Sequence, residues 1–223
     1  MTIETTKGRA LVLRTCSADM TSYGGFVWPT EGPVECSDWK PKTKCGNGLH
    51  GALWGEGDGS LLNWSPDAVW QVVEIEEWID LNGKVKFPRG VVVHTGDQRS
   101  ATEYIIANGA RGAVIGAAVS AGEYGTATAG EYGTASAGYR GTASAGEYGT
   151  ASAGYRGTAS AGEYGVLQIK WFEGDRTRIS TAYVGENWIK PNTPYCLNEN
   201  GEFVEAQAEA ERDRDAKRGG TEP

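Results

Sequence analysis

The sequence predicts a mainly β protein with four parts: a small α+β domain over residues 1–108, a short β-solenoid over 109–167, a β cap over 168–205 and a charged tail over 206–223. Three observations predict this fold class. One eight-residue unit recurs six times between Ser120 and Leu167. Short β-branched and aromatic runs, bounded by Gly, Pro and Asn, flank it on both sides. Beyond residue 205 almost no apolar residue occurs, which predicts a mobile or loosely helical tail.

Each repeat unit combines four residues of alternating side chains with a Gly-x-x-Gly segment, as in Thr134–Ala137 followed by Gly138–Gly141. The four residues suit a short strand, and the glycines suit a tight turn because glycine reaches positive φ without a steric penalty. Successive side chains of a strand point to opposite faces. The pattern therefore predicts alanines inside and hydroxyls outside. The hydroxyl face would consist of Thr126, Thr128, Thr134, Ser136, Thr142, Ser144, Thr150, Ser152, Thr158 and Ser160.

The turn residues indicate the length of one coil. Glu-Tyr pairs recur every sixteen residues and alternate with Tyr-Arg pairs. Two strands and two turns therefore make one rung, with a Glu-Tyr ladder along one edge and a Tyr-Arg ladder along the other. At roughly 4.8 Å per stacked strand, about three rungs give about 14 Å of solenoid. The predicted edge residues are Tyr124, Tyr132, Tyr139, Arg140, Tyr148, Tyr155, Arg156 and Tyr164.

Before the repeat, the first half of the N-terminal domain reads as short strands. The runs Arg9–Arg14, Phe26–Trp28 and Glu31–Cys36 are apolar or β-branched, and a proline stops the second of them. Residues 41–59 are rich in glycine, which predicts a loop.

The second half contains the clearest strand of this domain. Residues 68–78 are rich in β-branched and aromatic side chains, which predicts a strand of about seven residues. Two more strands are expected at Lys84–Phe87 and Val91–His94. Ser100 and Glu103 fit a capping box, so a short helix is expected over Ala101–Asn108.

The repeat is entered and closed by less regular segments. Residues 113–121 would form its first, irregular strand. At the far end, Val166–Phe172 replaces alanine with large residues, as a terminal cap requires. Thr177–Val184 and Gly201–Glu205 suggest further strands of the cap.

Composition narrows the classes of partner. The 223 residues carry a net charge of −8, which argues against a general nucleic-acid-binding surface because phosphate contacts need clustered cations. Neither a secretory signal nor a membrane span is indicated. The expectation is a soluble protein, cytoplasmic in a host cell or associated with a virion.

The cysteines and histidines offer few sites for chemistry. Cys16, Cys36, Cys45 and Cys196 lie far apart without a CxxC pair, which favours reduced thiols in a small core. Zinc bound by the first three together with His50 is an alternative, but the spacing is irregular. No metal or cofactor is therefore predicted.

Catalysis would depend on the glycine-rich loop. His50 beside Cys45 is the best candidate pair, and an enzyme of unknown class using it is one hypothesis. The alternative is that His50 fixes the loop through a hydrogen bond. His94 ends an apolar strand and is expected at the edge of the core.

Several motifs together carry a resemblance. In combination, three parts of the sequence resemble a family of uncharacterised phage and prophage proteins. These parts are Cys45–Gly51 (CGNGLHG) with Gly83–Phe87 (GKVKF), the octads, and Ile189–Tyr195 (IKPNTPY) followed by Gly201–Glu205. The likeness covers nearly the whole chain and implies a phage or prophage origin. The family brings no established activity.

The octads are also similar to those of bacterial ice-nucleation proteins, which pair into sixteen-residue coils and display Thr-x-Thr or Ser-x-Thr rows. This chain has Thr126-Ala-Thr128 and then four Thr-Ala-Ser segments. Nucleation proteins have far more coils, and their glycines fall differently. The resemblance implies an ice-binding hydroxyl array as an alternative function.

The main hypothesis is a non-enzymatic phage accessory protein whose rigid solenoid presents a surface to a protein partner or to a second copy. Aromatic and charged groups would recur along both edges, and Tyr124, Tyr132, Tyr148 and Tyr164 are natural contact residues because tyrosine supplies large contact area at small entropic cost. The acidic charge motivates a sharper version, a host-defence antagonist that mimics a polyanion. Against this stands the alternative that the tyrosines only stack on one another and protect the thin edges.

Overall fold

The computed structural model describes residues 5–206. It is mainly β, which confirms the predicted class, and it divides into two compact units that meet in sequence between Ala117 and Ala118. Residues 109–117, which the sequence analysis assigns to the solenoid, belong to the first unit, where the N–H of Ile115 donates to Gly55 O at 2.9 Å. The predicted tail lies outside the described residues, apart from Ala206.

The first unit is built on one six-stranded sheet with the order β1-β3-β5-β4-β6-β2, in which neighbouring strands are antiparallel. The elements are β1 (Thr6–Cys16), β2 (Gly32–Glu35), β3 (Leu49–Leu53), β4 (Val69–Asp80), β5 (Val85–Phe87), β6 (Arg89–Gly96) and α1 (Gln98–Ala107). Strand β1 also pairs with β4 along most of its length. The hydrophobic core of this unit contains Val12, Val73, Ile75 and Phe87, each at most 1% exposed.

Two segments of this unit differ from the sequence prediction. Leu49–Leu53 is a strand where a loop is expected, because Leu49 and Ala52 are buried and His50 pairs with Lys86 across β5. Phe26–Trp28 is not a strand and forms one isolated bridge, because Trp28 turns inward beneath the guanidinium of Arg14, 3.4 Å from the ring centre.

Two boundaries also change. Strand β4 is 12 residues long, against about seven expected, because its pairing with β1 extends from Trp78 to Val69. The helix begins at Gln98 rather than Ala101, because Asp97 is the cap and its Oδ1 accepts the N–H of Ser100 at 2.8 Å.

The second unit contains two five-stranded sheets, ordered β16-β15-β12-β10-β8 and β14-β13-β11-β9-β7. The strands are β7 (Ala118–Ala121), β8 (Thr126–Thr128), β9 (Thr134–Ala137), β10 (Thr142–Ala145), β11 (Thr150–Ala153), β12 (Thr158–Ala161), β13 (Val166–Glu173), β14 (Arg176–Tyr183), β15 (Tyr195–Leu197) and β16 (Phe203–Glu205). Consecutive strands of the repeat alternate between the two sheets. They stack in parallel with a shift of sixteen residues, as Thr142 on Thr126 shows, so the predicted two-octad rung is confirmed.

Alanine fills the interior of the solenoid. Ala127, Ala143 and Ala159 pair in register in one sheet, and each is 0% exposed. The predicted inward direction of the alanines is therefore confirmed. At the C-terminal end Leu167, Ile169, Tyr195 and Phe203 join the same cluster, so large side chains close the alanine core as the sequence predicts. Strand β15, which the sequence analysis leaves out, supplies the buried Tyr195.

The turns of the repeat contradict one prediction. Positive φ, between 52° and 59°, occurs at the residue before the second glycine and not at the glycines. These residues are Tyr124, Tyr132, Arg140, Tyr148, Arg156 and Tyr164. The glycines are needed instead for close stacking, since a Cβ on Gly154 would lie 2.5 Å from the carbonyl carbon of Gly138 in the preceding rung.

Candidate functional site

The outward-pointing threonine and serine side chains of the solenoid, which are exposed or half-buried, form two faces. We call the face of β8, β10 and β12 the continuous face, because every outward position carries a hydroxyl. Its residues are Thr126, Thr128, Thr142, Ser144, Thr158 and Ser160. The face of β9 and β11 carries Thr134, Ser136, Thr150 and Ser152, and we call it the interrupted face.

The continuous face is a regular grid. Thr126, Thr142 and Thr158 follow one another in adjacent strands, so their side chains repeat at roughly 4.8 Å. The second column runs beside it, two residues further along each strand, which is about 7 Å away. Within that column Ser144 Oγ and Ser160 Oγ are 3.0 Å apart and hydrogen-bonded. The grid is therefore fixed by the backbone ladder and partly by its own side chains.

The threonine column of the interrupted face loses its hydroxyl pattern at both ends. There it stacks on Ala118 of β7 and on Val166 of β13. The serine column of this face begins at Ser120 of β7, which stacks on Ser136, and ends at Gln168, whose Oε1 accepts a hydrogen bond from Ser152 Oγ at 3.1 Å. The threonine column of this face is thus shorter than that of the continuous face.

The Glu-Tyr edge forms a stack of aromatic rings. Tyr148 lies between Tyr132 and Tyr164, with ring centres 5.0 Å apart on each side and interplanar angles of 10° and 15°. The backbone stacks as well, since the N–H of Tyr148 donates to Glu163 O at 2.9 Å. Tyr148 stays 50% exposed and Tyr164 66% exposed. The rings therefore protect the edge and also leave an aromatic surface open to solvent.

The Tyr-Arg edge is less uniform. Tyr139 and Tyr155 are 6.2 Å apart and tilted, and Arg156 lies over the ring of Tyr155 at 5.4 Å. The phenol hydroxyl of Tyr155 raises the pKa of Arg156 through a hydrogen bond. Tyr124 packs edge-on against Tyr139, so it belongs to this edge rather than to the Glu-Tyr ladder.

The predicted catalytic pair lies in the first unit, where the two residues have different surroundings. Cys45 is exposed on the loop before β3, and its Sγ accepts a hydrogen bond from Nζ of Lys84 at 3.2 Å. His50 is on β3 and half-buried, and its Nε2 is buried without a hydrogen-bond partner. The thiol contact is thus made by a lysine and not by the histidine.

Burial governs the acidity of His50. Desolvation, together with the positive charges of Lys84 and Lys86, lowers its pKa to about 4. The ring is therefore neutral at pH 7. Protonation would place an N–H at the buried Nε2, which has no hydrogen-bond partner there.

The sequence does not predict the most unusual group of this unit, the buried ammonium of Lys86. Residues 40–46, which we call the lysine loop, surround it, and the residue is 1% exposed. Nζ of Lys86 donates to four carbonyl oxygens, those of Lys40, Lys42, Lys44 and Gly46, at 3.0, 2.6, 2.9 and 3.3 Å. No side-chain pattern signals this site, because its four acceptors are backbone carbonyl oxygens.

The zinc alternative has no support in the described chain. Cys16 is buried, Cys36 is half-buried and Cys45 is exposed. No cluster of three or more His, Cys, Asp or Glu side chains suited to a metal ion occurs within residues 5–206. His94 contacts Ser100 Oγ through Nε2 at 3.1 Å and stacks on Tyr104, near the helix start.

Two comparisons assign relatives to different parts of the chain. Residues 10–107 match a family described as a domain of unknown function, DUF7666. The repeat region matches ice nucleation proteins at about 45% identity. The repeats are ice-nucleation-like. No solved structure was found to match the chain.

The matching ice nucleation proteins are much longer than this chain. One from Pseudomonas fluorescens is 47% identical over 104 residues, which is 45% of this chain and 9% of that protein. InaU from Pantoea ananas is 42% identical over 102 residues, 44% of this chain and 10% of that protein. One from Pseudomonas syringae is 45% identical over 103 residues, again 44% and 9%. The chain therefore matches about a tenth of each relative's length.

Neither comparison names a phage protein, so the phage or prophage origin stays a prediction, as do the cellular location and the partner. Within residues 5–206 the helices are too short and too polar to span a bilayer.

Proposed function

We propose that the solenoid binds ice through the continuous face. The observation that carries this proposal is the in-register stacking of Thr126, Thr142 and Thr158 beside a parallel column of Thr128, Ser144 and Ser160. The similarity of the repeats to ice nucleation proteins supports it.

The physical basis is a rigid array of matched hydroxyls. The roughly 4.8 Å and 7 Å repeats are of the same order as the oxygen spacings in ice, and the strands hold them without further ordering. Because the array is preorganised, little conformational entropy is lost when water orders on it. The threonine methyl groups add apolar area between the hydroxyls, which favours the release of loosely bound water.

The size of the array sets the kind of effect. Three rungs give a face only about 14 Å long. Such a face adsorbs to existing crystals and slows their growth, whereas nucleation requires a much larger ordered surface. The chain is therefore expected to modify ice growth and not to start freezing.

The test is thermal hysteresis and ice-crystal shaping by the full chain. Thr142→Leu replaces the central hydroxyl of the continuous face and is expected to lower the hysteresis most. Thr150→Leu on the interrupted face should lower it less. Thr6→Leu, at an exposed position of β1 in the first unit, is the control and should leave it unchanged. Equal activity of all four proteins, each folded by circular dichroism, would contradict the proposal.

Self-association is a second candidate, favoured by the stacked and still exposed rings of Tyr148 and Tyr164. A second copy could cover this aromatic edge. Sedimentation over a range of concentrations tests it, with the change of both tyrosines to serine as the variant. A wild-type chain that stays monomeric at all concentrations would contradict self-association and would mean that the tyrosines only protect the edge of the solenoid.

A further inference from the structure

The Cys45–Gly51 and Gly83–Phe87 motifs meet at one point of the first unit. Strand β3 of the first motif pairs with β5 of the second, with Leu49 opposite Phe87. The lysine loop is fixed on the same strand, because the carbonyls around Lys86 replace the hydration of its ammonium group. The position of Cys45, which lies within this loop, is thereby set relative to β5.

Cys45 and Lys84 are in direct contact. Sγ and Nζ are 3.2 Å apart, and the cysteine is exposed to solvent. Within the described part of the chain, Lys84 makes no ion pair with a carboxylate. A small oxidant can therefore reach the sulfur while the amine stands next to it.

We propose that Cys45 and Lys84 are a redox modification site, in which a peroxide converts the contact into a covalent sulfur–nitrogen bond. The Cys45 thiolate attacks hydrogen peroxide, giving a sulfenic acid and hydroxide. The hydroxide takes a proton from the Lys84 ammonium and leaves as water. The neutral amine then attacks the sulfur, the S–O bond breaks, and a second water leaves with a proton of the amine.

The electrons balance in this sequence. The sulfur loses two electrons and the peroxide gains two, so the pair loses two hydrogen atoms in all. The product is a sulfenamide that joins the lysine loop to the residue preceding β5. A thiol reductant reverses it, because attack on the sulfur releases the Lys84 amine and, through a mixed disulfide, the Cys45 thiol.

Neighbouring groups are less suited to the same reaction. The ammonium of Lys86 is buried and donates to four carbonyls, so its nitrogen is not available as a nucleophile. Cys36 is half-buried, and burial raises the pKa of its thiol. Cys16 is buried, and burial raises the pKa of its thiol as well. Among the three cysteines of the first unit, Cys45 is therefore the one suited to the reaction, with Lys84 as its partner.

The experiment treats the full chain with a small excess of hydrogen peroxide and measures intact mass without reductant. The mass is expected to fall by two hydrogen atoms. Trypsin should no longer cleave after Lys84, and the peptides of Cys45 and Lys84 should appear joined. Dithiothreitol should restore both the mass and the cleavage.

Two lysine variants separate the pair from general reactivity. Lys84→Arg keeps the charge and removes the nucleophilic amine, so the linked product should fall to background. Lys44→Arg, next to Cys45 in the chain, should leave the yield unchanged. A wild-type protein that only gains oxygen atoms, or that forms a disulfide-linked dimer through Cys45, would overturn the proposal. So would equal linkage in Lys84→Arg.

Discussion

The two units of this protein are stabilised by different kinds of contact. In the first, strands distant in sequence pair around large side chains, as β1 does with β4, where Val12 meets Val73. In the second, each strand of the repeat stacks on the strand sixteen residues away, around a core of alanines. Alanine buries little apolar area, so the backbone ladders and the close contact of rungs must supply more of the stability there.

The difference teaches where each unit is vulnerable. The first unit depends on a few buried polar groups that have specific partners, above all Lys86. The second depends on the absence of side-chain atoms at the glycines where the rungs touch. Substitutions of these two kinds should have the largest effects.

The largest effect is expected for Lys86→Met, which keeps an unbranched side chain up to Cε and removes the ammonium. Four carbonyls of the lysine loop then lose their shared donor in a buried site. The free energy of unfolding of the first unit should fall by about 3 kcal/mol. Urea unfolding measures it, with Lys84→Met as the control that should cost much less. Equal losses in both variants would mean that the carbonyl contacts contribute nothing special.

Gly154→Ala should have the next largest effect, in the second unit. The new Cβ would lie 2.5–2.8 Å from backbone atoms of Gly138 and Tyr139, so the rungs must separate. A loss of about 2 kcal/mol is expected. Gly122→Ala is the matched control, because no heavy atom lies within 4 Å of its Cβ. Thermal unfolding compares the two, and a tolerated Gly154→Ala would refute the close-stacking role of the glycines.

A pH dependence is expected in the first unit, which contains both histidines of the chain. The folded pKa of His50, about 4, is below its usual value of 6.5, so the unfolded chain binds more protons between these values. The contribution of His50 is fully present above about pH 6.5 and is lost as the pH falls toward 4. Because part of the ring is exposed, the loss should be about 1–2 kcal/mol.

Amide hydrogen exchange, resolved by strand, measures this loss. Protection in β3 and β5 should fall on acidification, and His50→Gln should remove that fall. Protection in the stacked strands of the solenoid should not follow the same titration. An unchanged pH profile in His50→Gln would show that another group is responsible.

The smallest effect is expected for Tyr148→Ser, at the centre of the aromatic stack. Two ring contacts are lost, but the backbone ladder remains. The melting temperature should fall by about 2–4 °C. Tyr23→Ser in the first unit is the control, since Tyr23 is fully exposed and its removal should not change the melting temperature. A decrease in melting temperature as large as that of Gly154→Ala would mean that the stacked rings contribute as much to the stability of the solenoid as the close contact of its rungs.

The solenoid was largely predictable because each structural repeat corresponds to a repeat in the sequence. The alternation of Glu-Tyr and Tyr-Arg turns gives the sixteen-residue rung, and the alternation of Ala with Thr or Ser gives the two faces. The residue with positive φ was not predictable from propensity. The tyrosine or arginine is held there by a ladder hydrogen bond, such as that from Tyr132 N–H to Glu147 O at 2.8 Å.

The first unit was predictable only in part, because its decisive contacts are long-range. In the sequence, strand β3 looks like a loop because Gly46 and Gly48 precede it and Gly51 lies within it. Gly51 is nevertheless required inside the strand, where a Cβ would collide with Val12 and the backbone of Leu13. Likewise, Lys86 reads as an ordinary exposed strand residue, and only the folded lysine loop shows why its ammonium is buried.

The most direct test of the proposed function is the thermal hysteresis of a chain in which residues 146–161 are duplicated. This adds one rung in register and enlarges both faces, so hysteresis should rise above that of the wild type at equal molar concentration. Duplicating residues 146–153 alone is the control for register. It would place β13 in the wrong sheet, and it should destabilise the cap. A folded protein with the additional rung and no gain in hysteresis would contradict ice binding by the stacked hydroxyl array.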